Sequence, residues 1–187
     1  MKKMKKIAAL FLILLLLFSF GCGKKEAEIS EEFDYQGELK GELAHGQGQL
    51  FEEGQLIYEG EFRDGIINGQ GKLYEGGVLV YEGSFKEAKP LGQGTFYREG
   101  QKLFAGEIIK NDGETMKIQG ILHTAEGIPY YEGELTIEGD KITLGSPGII
   151  FYPEGEKMYE GPIVNNEPTT EGTYYSLDGI ALEKEEE

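Results

Sequence analysis

The stretch Tyr58-Glu59-Gly60-Glu61-Phe62-Arg63-Asp64-Gly65-Ile66-Ile67-Asn68-Gly69-Gln70-Gly71-Lys72-Leu73-Tyr74 contains two short runs in which apolar or small residues alternate with polar ones. Alternation with a period of two is the pattern of a half-buried β-strand. The first run covers Leu56 to Phe62 and the second covers Gly69 to Glu75, while residues 63–68 and Gly76-Gly77 have the composition of turns. The stretch therefore predicts a β-hairpin.

The hairpin pattern recurs along the chain. Six elements with an aromatic residue two positions before a glycine form one series from Tyr35-Gln36-Gly37 to Tyr159-Glu160-Gly161, and their successive glycines are 23, 23, 23, 27 and 28 residues apart. Gly-Gln-Gly elements alternate with this series and continue more loosely at Gly120, Gly148 and Gly172. Two series in phase over most of the chain indicate a repeat array. The defining residues are Tyr35, Gly37, Tyr58, Gly60, Phe62, Gly69, Gly71, Tyr81, Gly83, Gly92, Gly94, Gly106, Gly133 and Gly161.

The repeats predict the fold class. Because an isolated hairpin is marginal in water, neighbouring units must stack until their aromatic residues are covered. We therefore predict an all-β fold, an elongated single-layer antiparallel β-meander of about six stacked hairpins, preceded by a signal segment. Glycines leave a trough in such a sheet because they lack a Cβ, and we expect a ring from the neighbouring strand to lie in it.

The segment Tyr58–Tyr74 resembles a MORN repeat, and Tyr35 to Gly179 as a whole is similar to a MORN-repeat protein. The resemblance implies a single-layer twisted antiparallel sheet and a role in anchoring or protein interaction, without enzymatic activity. Departures from the motif begin in the third unit, and the later ones fall at the first glycine of the Gly-Gln-Gly element. They are Ala88 in place of the turn glycine, then Ile118, Ser146 and Thr170.

The N-terminal segment has the composition of an export signal. Four lysines lie among the first six residues, and an uncharged apolar run extends from Ile7 to Phe20. Cys22 follows the small residue Gly21, so the segment resembles a bacterial lipoprotein signal in which the cysteine receives diacylglycerol. Ser19 and Phe20 depart from that pattern, and an uncleaved signal anchor is the alternative. Both alternatives place the rest of the chain outside the cytoplasm, at the cell membrane.

The predicted organisation has four parts. A signal peptide covers residues 1–21, the lipidated cysteine and a spacer cover 22–33, the MORN-type array covers 34–179, and an acidic tail covers 180–187. Removing residues 1–21 would take away four lysines and no acidic residue, and so would change the formal charge from -16 to -20. Such a surface repels phosphate backbones and anionic lipid head groups, which argues against nucleic-acid binding and against direct lipid binding.

The sequence offers little catalytic chemistry. One cysteine allows neither an internal disulfide nor a cysteine-based zinc site, and His45 and His123 lack metal-ligand spacing. The Gly-Gln-Gly elements have no third glycine that opens a helix, so they do not form a nucleotide-binding motif. Residues 111–114 match a calcium-binding loop only faintly, and a turn is the better interpretation. We predict no catalytic residue, no metal site, no small-molecule cofactor and no enzymatic activity.

The array departs from its own spacing at two places. The step between paired glycines is 11 residues in three units, grows to 14 for Gly106 to Gly120 and to 15 for Gly133 to Gly148, and then returns to 11. The insertions fall in equivalent turns, which a repeat fold places on one edge. We predict loops at residues 110–117 and 138–147 as a candidate interaction edge, with repeat decay as the alternative. Its candidate residues are Lys110, Asn111, Asp112, Glu114, Lys117, Asp140 and Lys141.

Three functions follow as hypotheses. The leading one is a membrane-anchored, non-enzymatic scaffold that recognises a protein or a cell-envelope ligand through exposed aromatic residues and the two loops. The second is an immunity or antitoxin-like protein whose acidic surface complements a basic toxin. The third and weakest is an envelope hydrolase that uses carboxylates.

Overall fold

The computed structural model describes residues 2–4, of which the backbone alone is described, and residues 33–183. These residues are all-β, and the large sheet is a single antiparallel meander in which each strand pairs with the strand of that sheet that comes next along the chain. The predicted fold class is thereby confirmed. The leader from residue 5 to residue 21, the spacer to residue 32 and Cys22 lie outside the described residues.

The large sheet has thirteen strands in the order of the chain. They are β1 Lys2–Met4, β2 Phe33–Lys40, β3 Leu43–Glu52, β4 Gln55–Arg63, β5 Ile66–Glu75, β6 Val78–Lys86, β7 Lys89–Arg98, β8 Gln101–Asn111, β9 Thr115–His123, β10 Pro129–Glu138, β11 Lys141–Phe151, β12 Lys157–Gly161 and β15 Thr173–Tyr174. Between β12 and β15, the strands β13 Ile163–Val164 and β14 Glu167–Pro168 form a separate two-stranded sheet.

Five hairpins, β2–β3 through β10–β11, follow the predicted repeat. The sixth unit is partial: β12 is short and β15 pairs with it at only two positions. The chain then closes with a bridge between Tyr175 and Ala181, and the amide of Leu182 donates to the Tyr174 carbonyl at 2.8 Å. Ala181 and Leu182 therefore pair with the end of the last strand and the residue that follows it.

The turns alternate between two edges of the sheet. The turns at residues 41–42, 64–65, 87–88, 112–114 and 139–140 lie on one edge, which we call the hairpin-tip edge. The turns at 53–54, 76–77 and 99–100 lie on the opposite edge. The predicted turn at residues 63–68 is too long, because β5 begins at Ile66 and only Asp64 and Gly65 connect the strands. Both have positive φ, 50° and 88°, which suits the tight two-residue turn of a twisted hairpin.

The register aligns the glycines into one row across the sheet. Each glycine of the row is directly opposite the glycine of the next strand, from the Gly37–Gly48 pair in the first hairpin to the Gly148–Gly161 pair between β11 and β12. The row contains Gly37, Gly48, Gly60, Gly71, Gly83, Gly94, Gly106, Gly120, Gly133, Gly148 and Gly161.

The two faces of the sheet differ in polarity. One face carries a buried apolar cluster that contains Tyr58, Tyr81, Tyr131 and Tyr159, all with no exposed surface. Among the described residues, no polar or charged residue other than tyrosine is buried. The opposite face carries glutamines, glutamates and lysines beside the glycine row. The predicted alternation is thus confirmed, except at bulges, where two consecutive residues such as Val80 and Tyr81 are both buried.

Candidate functional site

Every repeat except the fourth is built around a tyrosine ring that lies over the glycine row. A Cβ placed on Gly71 would lie 2.3 Å from Tyr58 Oη and 2.5 Å from Tyr58 Cε2. Equivalent distances occur between Tyr35 and Gly48 and between Tyr81 and Gly94. No real Cβ approaches a ring so closely, so these positions require glycine for space. The predicted trough is confirmed.

The tyrosine hydroxyl also satisfies the backbone beside each bulge. Tyr58 Oη donates to the Glu61 carbonyl at 3.1 Å, and Tyr81 Oη donates to the Ser84 carbonyl at 3.0 Å. The strand register shifts at these residues, between Gly60 and Phe62 in the first case. Tyr35, Tyr131 and Tyr159 make the same bond to the residue three positions later. The bulge and the hydroxyl therefore form one structural unit.

The fourth repeat supports this coupling because it lacks the hydroxyl. Phe104 replaces tyrosine there, and Glu107 pairs regularly with Gln119. The register shift of β8 against β9 occurs farther along, between Ile108 and Lys110. Where the ring cannot donate to a bulge carbonyl, the bulge lies elsewhere.

The first glycine of the Gly-Gln-Gly element has a different task. Glu61 Oε1 accepts a hydrogen bond from the Gln70 amide at 3.0 Å, and a Cβ on Gly69 would lie 2.5 Å from Glu61 Oε2. Glu38 makes the corresponding bond to the Gln47 amide at 3.1 Å, beside Gly46. In this element, Gly71 leaves room for the Tyr58 ring and Gly69 leaves room for the Glu61 carboxylate.

Aromatic contacts connect the first four repeats along the buried face. The Tyr58 ring is edge-on to Phe62 and to Phe85, with centroids 5.3 and 5.2 Å apart. The series continues from Tyr81 through Phe96 to Phe104. Edge-to-face pairs at such distances stabilise beyond their buried area. Three such pairs, Tyr35–Phe62, Tyr58–Phe85 and Phe96–Phe104, join one hairpin to the next, so the first four repeats support one another.

Hydrogen bonds also staple successive turns at the hairpin-tip edge. The Gly65 amide donates to the Ala44 carbonyl at 2.8 Å, and the Ala88 amide donates to the Ile67 carbonyl at 2.9 Å. In the next hairpin, the Asn111 side chain provides the donor, with its Nδ2 3.2 Å from the Pro90 carbonyl. The tips of the second, third and fourth hairpins are therefore each fixed to the preceding hairpin.

Asn166 is the corresponding staple in the last unit. Its Nδ2 donates to the Ile142 carbonyl at 2.9 Å, and its Oδ1 accepts from the Leu144 amide at 2.8 Å. The repeat motif did not predict the roles of Asn111 and Asn166, because these side chains connect one repeat to the next and are not part of the repeated pattern. The signal available in the sequence is an asparagine next to a hairpin turn.

The two predicted loops are mostly strand, and this part of the prediction is wrong. β8 extends to Asn111 and β9 begins at Thr115, while β10 and β11 are joined by Gly139 and Asp140 alone. The inserted residues continue the backbone pairing of the hairpins, as in the pairs Ile137–Ile142 and Asn111–Met116. The insertions therefore lengthen two neighbouring hairpins of the sheet.

Part of the candidate interaction set holds the tip of the β8–β9 hairpin together. Asp112 Oδ1 accepts from the amides of Glu114 and Thr115 at 3.0 and 2.8 Å, and Lys110 Nζ is 2.5 Å from Asp112 Oδ2. These partners hold the pKa of Asp112 well below its usual range. Residues 112–114 are thus a turn, one residue shorter than the predicted turn at 111–114, and Asp112 is a turn residue.

The other candidate residues are divided between exposed tips and cross-strand pairs. Lys110, Glu114, Asp140 and Lys141 are exposed, while Lys117 is partly buried and lies 3.2 Å from Glu134 Oε1 on β10. Lys110, Glu114, Asp140 and Lys141 therefore lie at neighbouring tips of one edge. A role in interaction stays a prediction for all of them.

The hairpin-tip edge also carries exposed apolar side chains that the sequence analysis missed. Leu43, Ile66 and Ile109 are 47, 46 and 53 % exposed, and each precedes or follows a buried residue of its strand. Because alternate side chains point to opposite faces, Leu43 and Ile66 lie on the polar face beside the turns. Ile109 is the exposed bulge residue of β8 near the same edge. Exposed apolar side chains that form a contiguous patch are typical of contact surfaces.

The two histidines have different surroundings in the described chain. His45 Nδ1 accepts from the Asp64 amide at 3.4 Å. His123 is partly buried, and its Nδ1 has no hydrogen-bond partner among the described residues; burial lowers its pKa. Within residues 2–4 and 33–183, no group of three or more histidines, cysteines and acids is placed to hold a metal ion. In the same part of the chain, no helix has the length and hydropathy needed to span a membrane.

No protein-family model matches the chain. A search of curated proteins also finds no match.

Proposed function

We propose that this chain is an extracytoplasmic, membrane-anchored binding scaffold of the MORN type, with a lipid anchor at Cys22 and a protein partner at the hairpin-tip edge. The observation that carries the proposal is the position of the two lengthened hairpins. They are neighbours in the sheet, and their exposed charged tips lie on the same edge as Leu43, Ile66 and Ile109. A rigid sheet that presents such an edge suits recognition.

The partner that best complements this surface is a basic protein. The chain has 34 acidic and 18 basic residues, and complementary charge accelerates association and selects partners. A basic toxin neutralised by this chain is the second candidate function, and it rests on this charge alone. The identity of the captured partner distinguishes a toxin from an envelope protein.

Cross-linking in cells followed by mass spectrometry tests the proposal. The wild-type chain is compared with a variant carrying Ile66→Ser and Ile109→Ser, which removes exposed apolar contacts without touching the turns. The matched control is Ile180→Ser, because Ile180 is 62 % exposed and lies in the terminal turn on the opposite edge. Substitutions are preferable to deletion of residues 110–117, since that deletion would remove the Asn111 staple and paired strand residues.

The proposal predicts one dominant partner that cross-links to the wild type and to Ile180→Ser but is lost from the double variant. A partner that cross-links equally to all three proteins would move the interface away from this edge. Absence of any partner would contradict the scaffold function.

A further inference from the structure

An apolar cavity of about 520 Å³ lies on the buried face of the sheet. Its lining comes from two regions that are distant along the strands. Val80, Phe96 and Phe104 contribute from β6, β7 and β8, and Met116, Ile137 and Ile142 contribute from the two lengthened hairpins. The cavity therefore forms where the lengthened hairpins approach the apolar face of the preceding repeats.

The strands that carry these hairpins contain bulges. The register of β8 against β9 shifts between Ile108 and Lys110, and that of β10 against β11 shifts between Gly133 and Leu135. A bulge bends a strand and increases its local twist. Because Gly113, Glu114 and Gly139 at the tips line the same cavity as Arg98 and Glu99 at the opposite edge, the hairpins curve over the apolar face.

The cavity has the size and lining of a ligand site. Small-molecule sites typically span roughly 300 to 1,000 Å³ and are lined mainly by apolar side chains. Leu103, Met116, Leu122, Ile137 and Ile142 all line this cavity and remain only partly buried against the core. Apolar surface that the fold itself leaves partly uncovered is available to an apolar ligand.

The polar residues of the lining favour a positively charged group. Four carboxylates, those of Glu75, Glu99, Glu114 and Asp140, accompany a single guanidinium, that of Arg98. Loss of hydration raises the pKa of the Glu75 carboxyl. An ammonium group among these carboxylates would be attracted, whereas an added carboxylate would be repelled.

We propose that this cavity binds a cationic amphiphile, with the hydrocarbon part against Phe96, Phe104 and Ile137 and the ammonium group near Glu114 and Asp140. The site and the proposed edge contact share the exposed carboxylates of Glu114 and Asp140, but the hydrocarbon part lies on the apolar face, which the edge contact does not use. Binding of a small probe to the protein without any partner tests this inference independently of the edge contact.

Photoaffinity labelling of the full-length protein in a non-ionic detergent tests the site. The probe is a dodecylamine that carries a diazirine in its chain, and labelled peptides are identified by mass spectrometry. We expect label in peptides from β7 to β11, with dodecylamine competing at least about tenfold better than dodecanoate. Label confined to other peptides, or equal competition by the two, would overturn the proposal.

Two variants separate the cavity from the charge. Ile137→Trp fills the apolar space and should abolish the label, while Leu91→Trp, at a partly buried core position outside the cavity lining, is the matched control. Because a large residue can prevent folding, a second variant combines Glu114→Gln and Asp140→Asn at exposed positions. It should keep the label but lose most of the preference for dodecylamine over dodecanol. An unchanged preference would contradict the assignment of the ammonium group.

Discussion

At the scale of single residues, the fold depends on a tyrosine and the glycine that faces it in the next strand. The Tyr58 ring covers Gly71, and its hydroxyl satisfies the Glu61 carbonyl at a bulge. The need for glycine could be predicted from the sequence, because aromatic residues and glycines recur in phase. The hydrogen bond could not, since the position of a bulge depends on pairing between strands and does not alter the repeat spacing.

Gly71→Val should strongly destabilise the protein. The added Cβ alone would lie 2.3 Å from Tyr58 Oη, so the ring must leave its position. Overpacking of this kind costs about 1 to 3 kcal/mol in the free energy of unfolding. Chemical denaturation measures the loss, with Gly54→Asn as the control, because Gly54 faces open space and asparagine tolerates its φ of 80°. Equal stability of Gly71→Val and wild type would refute the trough.

Tyr58→Phe isolates the hydrogen bond from the ring. The ring stays over Gly71, but the carbonyl of Glu61 loses its side-chain donor in a region of the sheet that is largely buried. We expect a loss of about 1 to 2 kcal/mol in the free energy of unfolding. Tyr130→Phe is the control, because the Tyr130 side chain is 41 % exposed and water can satisfy its hydroxyl. An equal loss of stability in the two variants would show that the hydrogen bond from Tyr58 to the Glu61 carbonyl makes no particular contribution at the bulge.

At the scale of elements, hairpins were predictable and their connections were not. The alternating runs and Gly76-Gly77 predicted strands and a turn that the structure contains, but residues 63–68 suggested a longer connection than Asp64-Gly65. Asn68 and Gly69 have turn-like composition, yet cross-strand pairing extends β5 back to Ile66. The glycine spacing likewise located both insertions. It could not show that the inserted residues pair across the hairpins and so lengthen the strands instead of forming loops.

Asn166→Gly should loosen the last hairpin. It keeps a residue that accepts the φ of 66° but removes the two hydrogen bonds to β11. We expect a loss of about 1 to 3 kcal/mol and faster hydrogen exchange at the Leu144 amide. Asn165→Gly is a matched control, since Asn165 also has positive φ, 54°, and an exposed side chain. Unchanged protection of the Leu144 amide from hydrogen exchange in Asn166→Gly would show that the Asn166 side chain does not fix the hairpin to β11.

At the scale of the whole molecule, folding raises the pKa of tyrosines on both faces of the sheet. Burial raises the pKa of Tyr58 and of Tyr81. Partial burial and hydrogen bonds to glutamates raise the pKa of Tyr74 and of Tyr97 to about 12. The unfolded chain, by contrast, releases tyrosine protons near pH 10.

The protein should therefore lose stability in alkali. Groups whose pKa is raised on folding stabilise fully below their unfolded pKa, and this stability is lost as pH rises through the folded pKa. We expect the denaturant midpoint to fall between about pH 10 and about pH 12, with tyrosinate absorbance appearing together with unfolding. Tyrosinate that forms in full near pH 10 while the sheet stays folded would contradict the buried environment.

The continuous glycine row is the central claim of this account, because it sets the register of the sheet and thereby the positions of the edge and the cavity. Interstrand nuclear Overhauser effects between glycine α-protons test it most directly. The account predicts contacts within the pairs Gly37–Gly48, Gly60–Gly71, Gly83–Gly94 and Gly106–Gly120, where a Cβ on the first glycine would lie 2.5 to 2.6 Å from the Cα of the second. Contacts shifted by one or more residues, or absent from the lengthened β8–β9 hairpin, would contradict it.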